Sequence, residues 1–124
     1  MPVITPAAAT VHQAHNAEFT SFATPGTGST QLAAWLVEIQ ARSQGTAHTV
    51  THEEVLFILE GELHVSLDGE RGVARPGDAV LVPAGALFGA DNPGERPVRA
   101  WVTTSVGLRA TLADGTVITP PWAN

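Results

Sequence analysis

GTAHTVTHEEVLFILEG, residues 45–61, decides the fold. It carries two of the five histidines, the paired acids Glu53 and Glu54, and a run of strand-forming residues closed by Gly61. Side chains alternate across an extended chain, so a strand here puts Thr46, His48 and Val50 on one face. Val55–Leu59 is apolar on both faces, which predicts a strand covered on both sides. The cover expected is the N-terminal arm or a second subunit. A second stretch, GDAVLVPAGALFGADN at residues 77–92, answers the first.

Working outward, residues 32–41, LAAWLVEIQA, alternate Trp35, Val37 and Ile39 against Glu38 and Gln40, the pattern of a half-buried strand. Ala33, Ala34 and Leu36 leave a short helix open as an alternative. Ser43, Gln44 and Gly45 read as a turn. Residues 62–68 alternate Leu63, Val65 and Leu67 inward against Glu62, His64 and Ser66, so His64 is an exposed or interface histidine. Asp68-Gly69 signals a two-residue hairpin, and Arg75-Pro76-Gly77-Asp78 a tight turn. Ala79–Val82 and Ala86–Ala90 are short strands on either side of Pro83-Ala84-Gly85. Val98–Thr104 alternates again, with Trp101 on its outer face. Residues 109–119 form a hairpin about Asp114-Gly115. Residues 1–30 are punctuated by prolines and glycines. Their apolar pieces Val3–Ile4 and Phe19–Phe22 suit a sheet edge, and His12 and His15 read as surface histidines.

Short strands, turn signals every few residues and no convincing helix predict an all-β jelly-roll barrel or sandwich. The 124 residues are enough for one domain with a single core. Residues 1–30 form an arm with an edge strand, 31–106 the barrel, and 107–124 a C-terminal hairpin and tail of the same domain.

Composition narrows the chemistry. The net charge of -6 argues against nucleic acid and anionic membrane as partners, because both need clustered positive charge. All six bases are arginine, so Schiff-base chemistry on lysine is excluded, and the absence of cysteine excludes a thiol nucleophile. Tyrosine is absent too, which removes a phenol as proton donor. The first residues lack a basic segment followed by a long apolar run, so no signal peptide is expected. No apolar run is long enough to span a bilayer. These features predict a cytoplasmic protein, and the alanine-rich, lysine-free usage suggests a high-GC bacterial genome.

The two stretches resemble the cupin superfamily. Glu54 and Gly61 stand at the spacing of its first motif. Gly77, Pro83, Gly85 and Asn92 stand at the spacings of its second. The resemblance covers roughly residues 30–105 and implies a cupin-type double-stranded β-helix. In metal-binding cupins, two histidines and a glutamate of the first motif and a histidine of the second hold one divalent ion. Those positions fall here on His48, Val50, Glu54 and Phe88. Two of the four cannot ligate.

Three expectations follow. In the first, His48 and Glu54 form a hydrogen-bonded pair at the polar centre of an apolar barrel, able to act as general acid and base on a small carbonyl compound. Val50, Phe88, Trp35, Leu56, Ile58 and Trp122 line the pocket, with Trp122 capping its mouth. Isomerase, cyclase or lyase activity on a weakly polar or aromatic molecule suits such walls. In the second, His52 turns inward and His48, His52 and Glu54 hold zinc, manganese, iron or copper, giving a dioxygenase-like cupin. In the third, the barrel binds a ligand without catalysis. A buried His–Glu pair with a purely structural role stands beside all three. A homodimer is the expected assembly, with the doubly apolar strand and Trp101 at its interface.

Overall fold

The computed structural model describes residues 2–124 and is built almost wholly of strands. In chain order these are β1 (Thr10–Ala14), β2 (Ala17–Ala23), β3 (Leu32–Ile39), β4 (Ser43–Gln44), β5 (His48–Val50), β6 (Glu54–Glu60) and β7 (Leu63–Leu67). Then come β8 (Glu70–Ala74), β9 (Ala79–Val82), β10 (Phe88–Asn92), β11 (Val98–Ser105), β12 (Ala110–Leu112) and β13 (Val117–Ile118). The only helical pieces among the described residues are three short 3₁₀ turns, Pro6–Ala8, Pro25–Thr27 and Pro121–Ala123. Each carries proline at its start, where a missing N–H costs nothing.

The strands form two antiparallel sheets, the jelly-roll arrangement expected of the pattern. One runs β1-β2-β3-β11-β6-β9, and the other β13-β12-β5-β10-β7-β8 with β4 also paired to β10. Residues 32–39 are strand throughout, because Trp35 and Val37 face the core and no helical stripe competes. Ser43-Gln44 is not a free turn. It pairs with Asp91 and Asn92, and the Gly45 N–H donates to the Asp91 carboxylate. The tenth strand starts two residues later than its pattern suggested, at Phe88.

Two motif residues have plain structural duties. Gly61 has φ +80°, and a Cβ there would lie 2.8 Å from the Pro97 carbonyl oxygen, so only glycine fits. Asn92 is fully buried, and its amide donates to the carbonyls of Ile39, Gln40 and Arg96. It ties the β3 exit to the loop after β10.

The core lies between the sheets. Ile58, Leu63, Val82 and Val98 are its largest fully buried aliphatic side chains, each worth roughly 1.5–3 kcal/mol of transfer free energy. Within the chain β6 is covered on its inner face alone, and the N-terminal arm does not supply the second cover. Val55, Phe57 and Leu59 stay 38–44% exposed on the outer face. The N-terminal arm instead adds β1 and β2 to the sheet beyond β3, so its backbone hydrogen bonds are spent on extending the sheet. On the outer face the arm reaches Trp101 through Phe22, whose ring centroid lies 5.6 Å away.

Candidate functional site

The sheets leave a cavity of about 170 Å³ between them. Strand register explains its shape. On the first sheet Thr104 pairs with Glu54, Val102 with Leu56 and Ala100 with Ile58. The cavity touches Glu54, Leu56 and Val102 but not Ala100 or Ile58. It then continues over Trp35, Val37 and Ile39 of β3 and over Ala17 and Phe19 of β2. The path therefore runs diagonally from Glu54 on β6 toward the β1–β2 hairpin. The opposite wall is His48 and Val50 of β5, Phe88 and Ala90 of β10, and the C-terminal residues Ala110, Leu112, Ile118 and Trp122.

Seven of the nine residues singled out from sequence line the cavity: His48, Glu54, Val50, Phe88, Trp35, Leu56 and Trp122. Ile58 does not; it shares the inward face of β6 but lies one level deeper, fully buried opposite Ala100. His52, the ninth, does not line it either. It sits in the bend between β5 and β6, where its Nδ1 lies 2.7 Å from the Thr51 hydroxyl and its ring packs at Gly107. Thr51 is itself anchored across the chain: its hydroxyl accepts from the Arg109 N–H. That anchoring holds His52 outside the cavity.

Glu54 is only 7% exposed. Burial among apolar walls pushes its carboxyl from 4.5 up to about 7. No hydrogen bond or cation lowers it in compensation, and no arginine lines the cavity. The carboxyl oxygens are open to the cavity rather than sealed and unpaired.

His48 is not hydrogen-bonded to Glu54, contrary to the expected pair. Its Nδ1 lies 2.9 Å from the Thr46 carbonyl oxygen. A carbonyl only accepts, so Nδ1 carries the proton and Nε2 of the neutral ring keeps its lone pair. The ring stands edge-on to Phe88, with centroids 6.0 Å apart and planes at 89°. His48 and Glu54 thus meet one cavity as separate groups, each free to address a ligand.

The positions that hold a divalent ion in metal-binding cupins do not fit one here. Val50 and Phe88 offer no donor and His52 is outside, which leaves only His48 and Glu54 of the expected ligands at the cavity. Among the described residues no three histidine, aspartate or glutamate side chains converge to hold a metal.

Sequence reasoning found Trp122 on the C-terminal flank but missed the N-terminal one. His15 and Asn16, at φ +53° and +65°, make the two-residue turn between β1 and β2, with Ala14 paired to Ala17. His15 lies at the cavity mouth, exposed yet part of its lining. Phe19 stacks on Trp122, with centroids 3.7 Å apart and planes at 9°. The signal available was the polar His15-Asn16 dipeptide between two short alternating runs.

Residues 35–105 match the family model described as Cupin domain. The chain belongs to the cupin family. Over 38 residues this cupin is 42% identical to acetate kinase EutQ of Salmonella typhimurium, a stretch covering 31% of this chain and 17% of that protein. The chain thus spans a small part of the curated relative it matches. Among solved structures it resembles the polyketide cyclase RemF from Streptomyces resistomycificus, with a TM-score of 0.75, 16% identity, and coverage of 85% of this chain and 79% of that one. It also resembles KdgF from Halomonas sp., with a TM-score of 0.70, 20% identity, and coverage of 82% and 92%. At these identities the likeness concerns the fold. Among the described residues no helix is long and apolar enough to cross a membrane.

Proposed function

We propose that this cupin binds a small, weakly polar carbonyl compound and moves a proton on it without a metal ion, as an isomerase, cyclase or lyase does. The observation that carries the reading is Glu54: a buried carboxyl, held up to about 7, open to an apolar cavity that it shares with the free Nε2 of His48. A carboxylic acid that stays protonated near neutral pH can donate to a carbonyl oxygen. His48 Nε2 takes a proton from the carbon next to that carbonyl. The C–H electrons become the C=C bond, the C=O π electrons move to oxygen, and oxygen receives the Glu54 proton. Where the substrate carries a neighbouring hydroxyl or C=C, the product is an enediol or dienol, and returning a proton to a different carbon isomerises the molecule; attack of the enol carbon on a second carbonyl, with the enol O–H proton passing to the new alkoxide, cyclises it.

The cavity volume limits the ligand. A cavity of about 150 Å³ lined by aliphatic and aromatic side chains holds benzene, so about 170 Å³ suits a single ring or a short chain. The polyketide cyclase RemF shares the fold, and a cyclisation is one form the proposed chemistry takes.

The experiment is proton exchange in D₂O. Cyclohexanone and other small cyclic ketones are incubated with the protein, and loss of the α-proton signal is followed by NMR. Exchange above background that is lost in Glu54→Gln and in His48→Gln supports the reading. Ligand binding with no exchange in the wild type would make the cavity a carrier site instead.

We also propose a homodimer across the outer face of the first sheet. Phe57, Leu81 and Trp101 are 44%, 55% and 37% exposed there, on three neighbouring strands. Arg99 lies between Glu38 and Glu60 at the rim, 4.0 and 3.4 Å away, so a two-fold copy can set arginine against carboxylate. Burying roughly 800 Å² on each partner is the usual size for such a contact.

A further inference from the structure

We infer that His15 is a specificity residue at the cavity mouth, reading an acceptor oxygen at the end of the ligand remote from the reacting carbonyl. This inference rests on the proposed function and names its ligand class: a small ring or chain oxygenated at both ends.

The distribution of polar groups carries it. Among the described residues, His15, His48 and Glu54 are the titratable side chains that line the cavity. Glu54 is on β6 at one end of the diagonal and His15 is at the hairpin tip beyond Ala17 at the other. Between them the walls are Leu56, Val102, Trp35, Val37 and Phe19, which offer only the Trp35 ring N–H as a polar group. A ligand whose carbonyl meets Glu54 and whose body fills this path presents its far end at the mouth. A second oxygen placed midway would lose its water for little return. At the mouth it keeps access to solvent and meets the His15 imidazole.

The turn does not single out histidine at position 15. At φ +53° His15 occupies the left-handed region, which histidine enters more readily than most side chains but which glycine fills without strain, and neither the hydrogen bonds nor the ion pairs of the described residues engage its ring. Its ring is available, and its backbone position is one that glycine fills with less strain. The turn therefore does not require histidine.

That last point makes the test clean. His15→Gly removes the imidazole and suits the turn, so the fold is kept. The probes are cyclohexanone, cyclohexane-1,4-dione and 4-oxocyclohexanecarboxylate, with affinities read by NMR titration. The two doubly oxygenated probes are expected to bind the wild type at least fivefold more tightly than cyclohexanone. In His15→Gly that advantage disappears while cyclohexanone affinity is unchanged. The dione and the carboxylate separate a neutral acceptor from an anionic one. No advantage in the wild type, or an advantage that persists in His15→Gly, would overturn the inference. So would loss of cyclohexanone affinity in the variant, because that marks a structural role. Proton exchange on cyclohexanone is recorded alongside. Exchange without an affinity difference refutes His15 alone, whereas an affinity difference without exchange refutes the proposed chemistry and leaves His15 as a binding residue.

Discussion

Phe19 and Trp122 stack face to face, with ring centroids 3.7 Å apart, across 103 residues of sequence. The contact joins the N-terminal hairpin to the C-terminal tail, and both lie outside residues 35–105 that match the cupin family. The Ser21 hydroxyl adds a 2.8 Å hydrogen bond to the Trp122 carbonyl. Asn124 ties the tail down through the Leu108 and Pro120 carbonyls. The family segment therefore supplies His48 and Glu54, and the two flanks close the cavity over them.

Trp122→Ala should open that closure. Trp122 is half-buried, so the expected loss of stability in urea denaturation is about 1–3 kcal/mol, less than for a fully buried tryptophan. Ligand affinity falls with it. Unchanged stability and affinity would mean the tail packs without holding the cavity shut.

Glu54 should make the protein less stable as pH rises. In the unfolded chain its carboxyl ionises near 4.5, and in the fold near 7. Between these values the folded state holds one proton more, so stability falls with rising pH and levels off above about 7. The difference amounts to about 3 kcal/mol. Glu54→Gln removes this slope, and relative to wild type it gains most at pH 8. Urea denaturation of both proteins at pH 5 and pH 8 checks it; parallel behaviour of the two would count against the desolvated carboxyl.

Metal should not be retained by the wild type at stoichiometric amounts, since among the described residues no third histidine or carboxylate converges with His48 and Glu54. Replacing the two apolar residues at family ligand positions, Val50→His with Phe88→His, should create a zinc site where four side chains meet. Elemental mass spectrometry on both proteins, purified without a tag or chelator, reads the result. Near-stoichiometric metal in the wild type that survives dialysis would sink the metal-free reading.

The apolar outer face should govern assembly. Phe57→Glu places a charge at a surface position that is already 44% exposed, so the monomer fold tolerates it. Sedimentation should show a dimer for the wild type and a monomer for the variant. A wild type that sediments as a monomer at micromolar concentration would leave the face without its proposed partner.

Much of the fold could be read in the chain, because turns and alternation are local. Asp68-Gly69 makes its hairpin with φ +49° and +87°, and Leu67 pairs with Glu70 as a two-residue loop demands. The inward positions of β3 and β11 follow from alternation alone. What failed was set by distant parts of the chain. His52 points away because Thr51 is fastened to Arg109, 58 residues on. His48 is a local exception: its Nδ1 goes to the Thr46 carbonyl two residues earlier, a bond that alternation does not report. Ile58 falls outside the cavity because depth along β6 depends on where Ala100 and Val98 pack. His15 joins the site only through sheet extension, which no pattern within residues 10–23 specifies.

The central claim is that Glu54 keeps its proton near neutral pH in a cavity it shares with His48. The most direct measurement is a ¹³C NMR titration of the glutamate side-chain carboxyls, with Glu54 assigned by its absence in Glu54→Gln. The account predicts one carboxyl with a midpoint near 7, set by burial. A Glu54 midpoint near 4.5, the value of an unburied glutamate, would contradict it.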